Sequence, residues 1–142
     1  MFKEILLPIN MDETGLTGRA IETAQDLAEH HGANLTVLTA IPDFSSSLVA
    51  SYFPEDAIKN AHQETCAELK KFVEAHFKKP ANVHCEVREG SPRKVIVEYI
   101  EKHNIDLVVM PARKTNISKV FLGSNSAHVV NQAPCSVLVV RP

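Results

Sequence analysis

The chain has 142 residues, close to the roughly 150 that one domain commonly occupies, so we expect a single domain over residues 1–142. Its 15 Lys and Arg against 17 Asp and Glu give a net charge of -2. This balance excludes binding driven by a strong overall charge, so neither a nucleic acid nor a membrane is expected as a partner. A composition with 44% hydrophobic and 23% charged residues excludes a disordered or fibrous chain.

Targeting and cysteine signals favour a cytoplasmic protein. The first ten residues lack the apolar core and the small-residue cleavage site of a secretory signal. The uncharged stretch 121–140 is interrupted by polar residues and Pro134, which argues against a membrane-spanning helix. Cys66, Cys85 and Cys135 form no CxxC pair, so neither a disulfide framework nor a zinc ribbon is predicted.

The first third of the chain predicts a strand, a helix and a second strand. The apolar run at residues 2–9 is typical of a strand buried on both faces. Apolar residues then recur at helical spacing over residues 16–31, and Gly32 is expected to end that helix. A second apolar run at residues 35–41 predicts another buried strand, which Pro42 closes.

The middle of the chain continues the alternation. Helical spacing predicts a long helix from Pro54 to His76. Apolar and polar residues then alternate over residues 83–87, which predicts a strand exposed on one face and near the sheet edge. A turn follows, in which Ser91 is expected to cap a third helix that begins at Pro92.

The last third predicts a strand at 106–110, a helix at 124–131 and a final strand at 136–140. Strands that alternate with helices indicate a parallel sheet covered on both faces by right-handed crossovers. The fold class is therefore α/β, with a doubly wound five-stranded parallel sheet. Ligands of such sheets bind beyond the carboxyl ends of the strands where the winding reverses, so we expect the site in the loops after the first and fourth strands.

Common enzyme motifs do not occur in this sequence. It contains no GxSxG elbow, GxxxxGK[ST] loop, GxGxxG fingerprint or HExxH pair. His62 and Cys66 stand four residues apart and could present two metal ligands, but a closed site needs about four, so a packed or solvated helix face is favoured. His84 and His128 have no evident carboxylate or serine partner, and no catalytic role is expected for them.

The segment after the fourth strand is the strongest candidate site. It carries Arg113 and Lys114 and ends in Gly-Ser-Asn-Ser at the start of a helix. Gly123 would let the backbone approach a ligand, and the free amides of the first helical turn can donate hydrogen bonds to phosphate oxygens. The alternative is that Ser124 only caps the helix.

Four segments resemble one known family: LLPIN, TAIPD, REGSP and LGSNSAHVVNQAPCSVLVV. Together they make the whole chain similar to the universal stress proteins, and most similar to the small bacterial F and G type. The resemblance implies a fold like that of the adenine nucleotide alpha hydrolases, with strand order 3-2-1-4-5. It also implies that the protein binds an adenine nucleotide and works as a homodimer in the stress response.

The resemblance further implies which residues contact the nucleotide. The phosphates would be held by residues 123–126, adenine or ribose by residues 8–10, and adenine also by Ala40. The full expected set is Pro8, Ile9, Asn10, Ala40, Val109, Met110, Pro111, Arg113, Lys114, Gly123, Ser124, Asn125 and Ser126. The family pairs its last strand across the dimer, here Ser136–Val140, whose apolar edge would otherwise leave backbone groups unpaired. The alternative is an edge blunted by Arg141 and Pro142.

The sequence departs from the family's nucleotide motif, which is Gly, two residues, Gly, nine residues, then Gly followed by Ser or Thr. Gly123 matches its end, but the two upstream glycines fall on Met110 and Arg113 or, with a one-residue deletion, on Pro111 and Lys114. Proline has no amide hydrogen to donate, so the front of the loop cannot copy a glycine turn. The two cations could instead reach a polyphosphate as charged donors.

Asn10 stands where the family commonly has Asp. An amide is a poorer magnesium ligand than a carboxylate, so magnesium stays an unsupported option. No residue is an obvious base for positioning a water molecule, and we therefore expect slow or no hydrolysis. The expected ligand is ATP, with AMP and ADP as alternatives. A second hypothesis is an interaction module of the same fold that binds no nucleotide.

Overall fold

A computed structural model of the chain describes residues 1–43, 51–52, 54–112 and 122–142. In chain order its strands and α-helices are β1 Glu4–Pro8, α1 Gly18–His31, β2 Asn34–Ile41, α2 Glu55–His76, β3 Val83–Glu89, α3 Pro92–Lys102, β4 Leu107–Pro111, α4 Ser124–Gln132 and β5 Ser136–Val140. Short 3-10 helices occupy Met11–Leu16 and Pro80–Asn82. Within the described ranges, no helix combines the length and the apolar character needed to cross a bilayer.

The described strands form one five-stranded parallel sheet in the order β3-β2-β1-β4-β5. This confirms the predicted doubly wound α/β fold and its strand order. β1 is the central strand, and Leu6 lies beside Thr36 of β2 on one side and Val108 of β4 on the other. The winding therefore reverses between β1 and β4, and a crevice is expected at their carboxyl ends.

The two faces of the sheet bury separate apolar clusters. Ile5 and Leu7 of β1 point towards α1 and α2, whereas Leu6 points towards α3 and α4. Burial of each such side chain stabilises the fold by about 1.5–3 kcal/mol. β3 lies at one edge of the described sheet, with His84 exposed and Val87 buried, as its alternating pattern predicts.

α1 begins later in the chain than the sequence predicts. Leu16 belongs to the first 3-10 helix, and α1 begins two residues later, at Gly18. The Asn10 side chain explains part of this difference, because its Oδ1 accepts a hydrogen bond from the Asp12 amide at 3.0 Å and caps the 3-10 helix. The end of α1 is as predicted, since Gly32 adopts the left-handed conformation with φ 63°.

Candidate functional site

A cleft of about 570 Å³ opens at the carboxyl end of the sheet. Its floor comes from the ends of β1, β2 and β4, and its walls come from the first 3-10 helix and the first turns of α3 and α4. It thus lies at the winding reversal, and its volume is in the range of small-molecule sites.

Most residues of the predicted site meet in this cleft. Those that line it are Pro8, Ile9, Asn10, Ala40, Met110, Pro111, Gly123, Ser124, Asn125 and Ser126. Val109 does not line it, because its side chain is 0% exposed and packs with Ile5 and Leu7 in the core under α1 and α2. Arg113 and Lys114 lie outside the described residues.

The beginning of α4 presents unpaired polar groups to the cleft. Gly123 holds the N-cap position with φ 81° and no side-chain cap, so the alternative in which Ser124 caps the helix is wrong. The amides of the first helical turn have no acceptor within the helix. In the described part of the chain, no hydrogen bond reaches the side chains of Ser124, Asn125 or Ser126, although Ser126 is only 5% exposed. These donors therefore face a site suited to an anion.

The rim on the other side of the cleft is acidic, and some of its polar side chains are hydrogen-bonded within the chain. Asp12, Glu13 and Asp43 line it, and Asn10 uses its Oδ1 to cap the 3-10 helix. Thr17, which is buried, donates its hydroxyl to the Thr14 carbonyl at 2.6 Å. Within the described ranges, no three His, Cys, Asp or Glu side chains lie together as a metal site requires.

One wall of the cleft was missed by sequence reasoning. Gly90, Ser91 and Pro92 line it, because the Gly90 amide donates to the carbonyl of Ile41 at 2.9 Å and ties this turn to the end of β2. Gly90 has φ +135°, and a Cβ there would lie 3.1 Å from Val95 Cγ2, so a larger residue is disfavoured. Ser91 holds the predicted N-cap position, but its side chain makes no cap bond. The turn could be predicted from the sequence, but its contact with the end of β2 could not.

The remaining candidates lie apart from this cleft. His84 has a carboxylate partner after all, since its Nε2 lies 2.5 Å from Glu86 Oε1 near the amino end of β3. The two residues are separated by one position, and alternate residues of a strand share a face, which is the signal that predicts this pair. Cys66, four residues after His62, packs against the core under α2.

Both the sequence and the fold of this chain are similar to those of known proteins. A sequence model described as the universal stress protein family matches residues 1–141. The chain belongs to this family. It is 34% identical over 144 residues to universal stress protein G of Salmonella typhimurium, which covers 99% of this chain and 100% of that protein.

Solved structures of family members share the fold of this one. The universal stress protein UspA from Lactobacillus plantarum superimposes with a TM-score of 0.69 at 27% identity, over 99% of this chain and 98% of that chain. A universal stress protein in complex with cAMP superimposes with a TM-score of 0.62 at 19% identity, over 99% of this chain and 97% of that chain. At that identity the second likeness concerns the fold alone.

Proposed function

We propose that this family member binds an adenine nucleotide in the carboxyl-end cleft and acts in the stress response. ATP is the expected ligand, with ADP and AMP as alternatives. One observation carries the proposal: polar groups without partners among the described residues stand at the start of α4, directly beside an apolar floor. An apolar floor suits a purine base, and free amides at a helix N-terminus suit phosphate oxygens.

The parts of the cleft suggest a division of roles. Ile9, Ala40 and Met110 offer apolar surface to the base and the ribose. Gly123 permits close approach at the α4 amides, and the side chains of residues 124–126 are available as donors. Pro111 has no amide hydrogen, so we propose that Arg113 and Lys114 act as charged donors to the phosphates and partly replace the backbone contacts of the family's glycines. One universal stress protein has been solved in complex with cAMP, which is itself an adenine nucleotide.

We propose slow or no hydrolysis at this site. Phosphoryl transfer needs an in-line water molecule and a neutralised phosphate charge. Asn10 is a poor magnesium ligand, and its Oδ1 is already engaged by the Asp12 amide at 3.0 Å. The protein would therefore act in signalling by binding the nucleotide and not by hydrolysing it. Its cytoplasmic location stays a prediction.

Calorimetric titration tests nucleotide binding directly. We expect heat on adding ATP to protein at about 100 µM, a concentration that detects even weak affinity. Gly123→Val should weaken binding by about 100-fold, because valine disfavours the φ of 81° at this position and its side chain would occupy the phosphate site.

Gly18→Val is the matched control, since Gly18 is exposed and an added Cβ there meets nothing within 4 Å. It should bind ATP as the native chain does. If the native chain gives no heat with ATP, ADP or AMP, the nucleotide hypothesis is wrong, and the interaction module of the same fold takes its place.

We propose that a homodimer forms through β5. This strand lies at the second edge of the described sheet, it is apolar from Val137 onwards, and Leu138 is 40% exposed. Leu138→Asp should convert a dimer into a monomer in sedimentation experiments, because a charge would be desolvated at the interface. Glu98→Asp on α3, an exposed position away from this edge, should leave the dimer intact. A native chain that sediments only as a 15.7 kDa species at micromolar concentration contradicts this proposal.

A further inference from the structure

The carboxyl-end cleft has two chemically different sides. One side is the start of α4, where Ser126 lines the cleft, is only 5% exposed and has no hydrogen-bond partner among the described residues. The other side is the acidic rim of Asp12, Glu13 and Asp43. The described lining residues include no Lys, Arg or His. A ligand that complements this cleft therefore places its anionic part at α4 and its hydrogen-bond donors at the rim.

The strand order arranges these groups in a line across the end of the sheet. Asp43 follows β2, Asp12 follows β1 and α4 follows β4, and the three strands are neighbours in the order β2-β1-β4. Neighbouring strands lie about 4.8 Å apart, so the line from the end of β2 to the end of β4 is about 10 Å long. A nucleotide has its parts in a matching order, from base through ribose to phosphate. With the phosphates at α4, the ribose would lie over the end of β1, beside Asp12.

The carboxylate of Asp12 is available to a ligand. The backbone amide of Asp12 donates to Asn10 Oδ1 at 3.0 Å and so fixes the start of the 3-10 helix, but this bond does not use the carboxylate. In the part of the chain that the structure describes, the carboxylate has no hydrogen bond or ion pair, and the residue is exposed. A carboxylate accepts hydrogen bonds, which the two hydroxyls of a ribose can donate. It repels a phosphate in the same place.

We propose that Asp12 is a specificity-determining residue of the carboxyl-end cleft, which accepts nucleotides whose 2′- and 3′-hydroxyls are free and rejects those that carry a phosphate on either. This inference rests on the proposed nucleotide binding. It narrows the ligand class to ribonucleotides phosphorylated only at the 5′ position. Nucleotides with a 3′,5′-cyclic phosphate fall outside that class, because their 3′ oxygen is esterified.

Matched nucleotides test the proposal in calorimetric titrations at constant ionic strength. The adenine 5′-nucleotide that binds the native chain most tightly is compared with its 2′-phosphorylated, 3′-phosphorylated and 2′,3′-dideoxy forms. We expect each phosphorylated form to bind at least about tenfold more weakly, because like charges meet at the rim. The dideoxy form should bind about fivefold more weakly, because it lacks the donors to the carboxylate.

The outcomes separate this proposal from nucleotide binding itself. If any of the three modified forms binds as tightly as its parent, the role of Asp12 is wrong while nucleotide binding stands. If no adenine nucleotide binds the native chain, both proposals are wrong.

Asp12→Asn distinguishes charge from shape, because asparagine has nearly the same size but no charge. The ratio of affinities between the parent and its 3′-phosphorylated form should fall from at least about tenfold to below about threefold. The amide of residue 12 can still donate to Asn10, so the variant should fold, and a ratio of affinities does not depend on the folded fraction. An unchanged ratio would overturn the proposal, because the cleft would then discriminate by shape.

Asp26→Asn is the matched control. Asp26 is exposed on α1 and does not line the cleft, so its replacement removes the same charge at a distance. This variant should keep the native ratio. An equal fall in both variants would also overturn the proposal, because it would indicate an effect of overall charge and not of Asp12.

Discussion

The two ends of the sheet differ in how their polar groups are paired. At the carboxyl end, Ser124 and Ser126 meet the cleft without hydrogen-bond partners among the described residues. At the amino end, Glu4 and Glu86 are engaged by neighbours of the same chain. The carboxyl end also has free backbone donors, because α4 begins there and the first N–H groups of a helix have no acceptor within it. The unpaired groups are available to a ligand, whereas the paired groups stabilise the chain itself.

The largest expected effect tests whether the amino end supports the fold. Tyr99→Ala should lower the free energy of unfolding by about 3–5 kcal/mol, because it removes a buried aromatic ring and leaves a cavity under α3. Tyr99→Phe keeps the ring and should cost only about 1 kcal/mol. Urea unfolding measures both, and ATP titration of each folded variant should give native affinity. Reduced affinity in Tyr99→Phe would contradict the separation of the two ends.

A smaller effect should distinguish paired from unpaired hydroxyls within the carboxyl-end cleft. Thr17→Val removes a hydroxyl that donates to the Thr14 carbonyl at 2.6 Å, so it should destabilise the fold by about 1 kcal/mol. Ser126→Ala removes a hydroxyl that has no partner in the described ranges, although the residue as a whole is only 5% exposed, so stability should stay within about 0.5 kcal/mol of the native value.

We expect the same two variants to affect ATP affinity in the opposite order. Ser126→Ala should weaken ATP binding by about tenfold, because a donor to the phosphates is lost. Thr17→Val should bind ATP with little change. If urea unfolding shows the larger loss of stability in Ser126→Ala, the hydroxyl has a structural role and the contrast between paired and unpaired groups fails.

The smallest expected effect is a pH dependence at the amino end. Burial, with the Met1 amine and His30 as further causes, lowers the pKa of His31. The imidazole of His31 is therefore protonated less readily in the folded chain than in the unfolded chain. As a result, the contribution of His31 to the free energy of unfolding is lost as the pH falls below about 6.5. His31→Gln should show a smaller drop in the urea midpoint between pH 7.5 and pH 5.0. A drop equal to the native one would contradict this assignment.

Element types along the chain could be predicted because their signals are local. The run Ile5, Leu6 and Leu7 is apolar on both faces, which only a central strand requires, and Gly32 can take the left-handed conformation that ends a helix. The start of α1 could not be predicted in this way. It depends on Asn10, whose side chain bonds the backbone two residues later and favours a 3-10 turn.

The candidate site was predictable where one segment carries it. Gly123 and the residues after it form a single motif at a helix start, and the structure sets them at the cleft. Gly90 and Ser91 reach the same cleft only because the Gly90 amide bonds the Ile41 carbonyl across the chain. Val109 was expected there from the family resemblance, but strand alternation turns its side chain into the core.

The sequence by itself determined which segments are strands, which are helices, and that the chain belongs among parallel α/β folds, because periodicity and end signals act over a few residues. The tertiary structure alone decided which turns share a cleft and which residues from different segments meet. Ile41 meets Gly90, and Tyr99 meets Arg88, across many intervening residues. Such meetings follow from strand order and register, which are properties of the assembled sheet and not of any one segment.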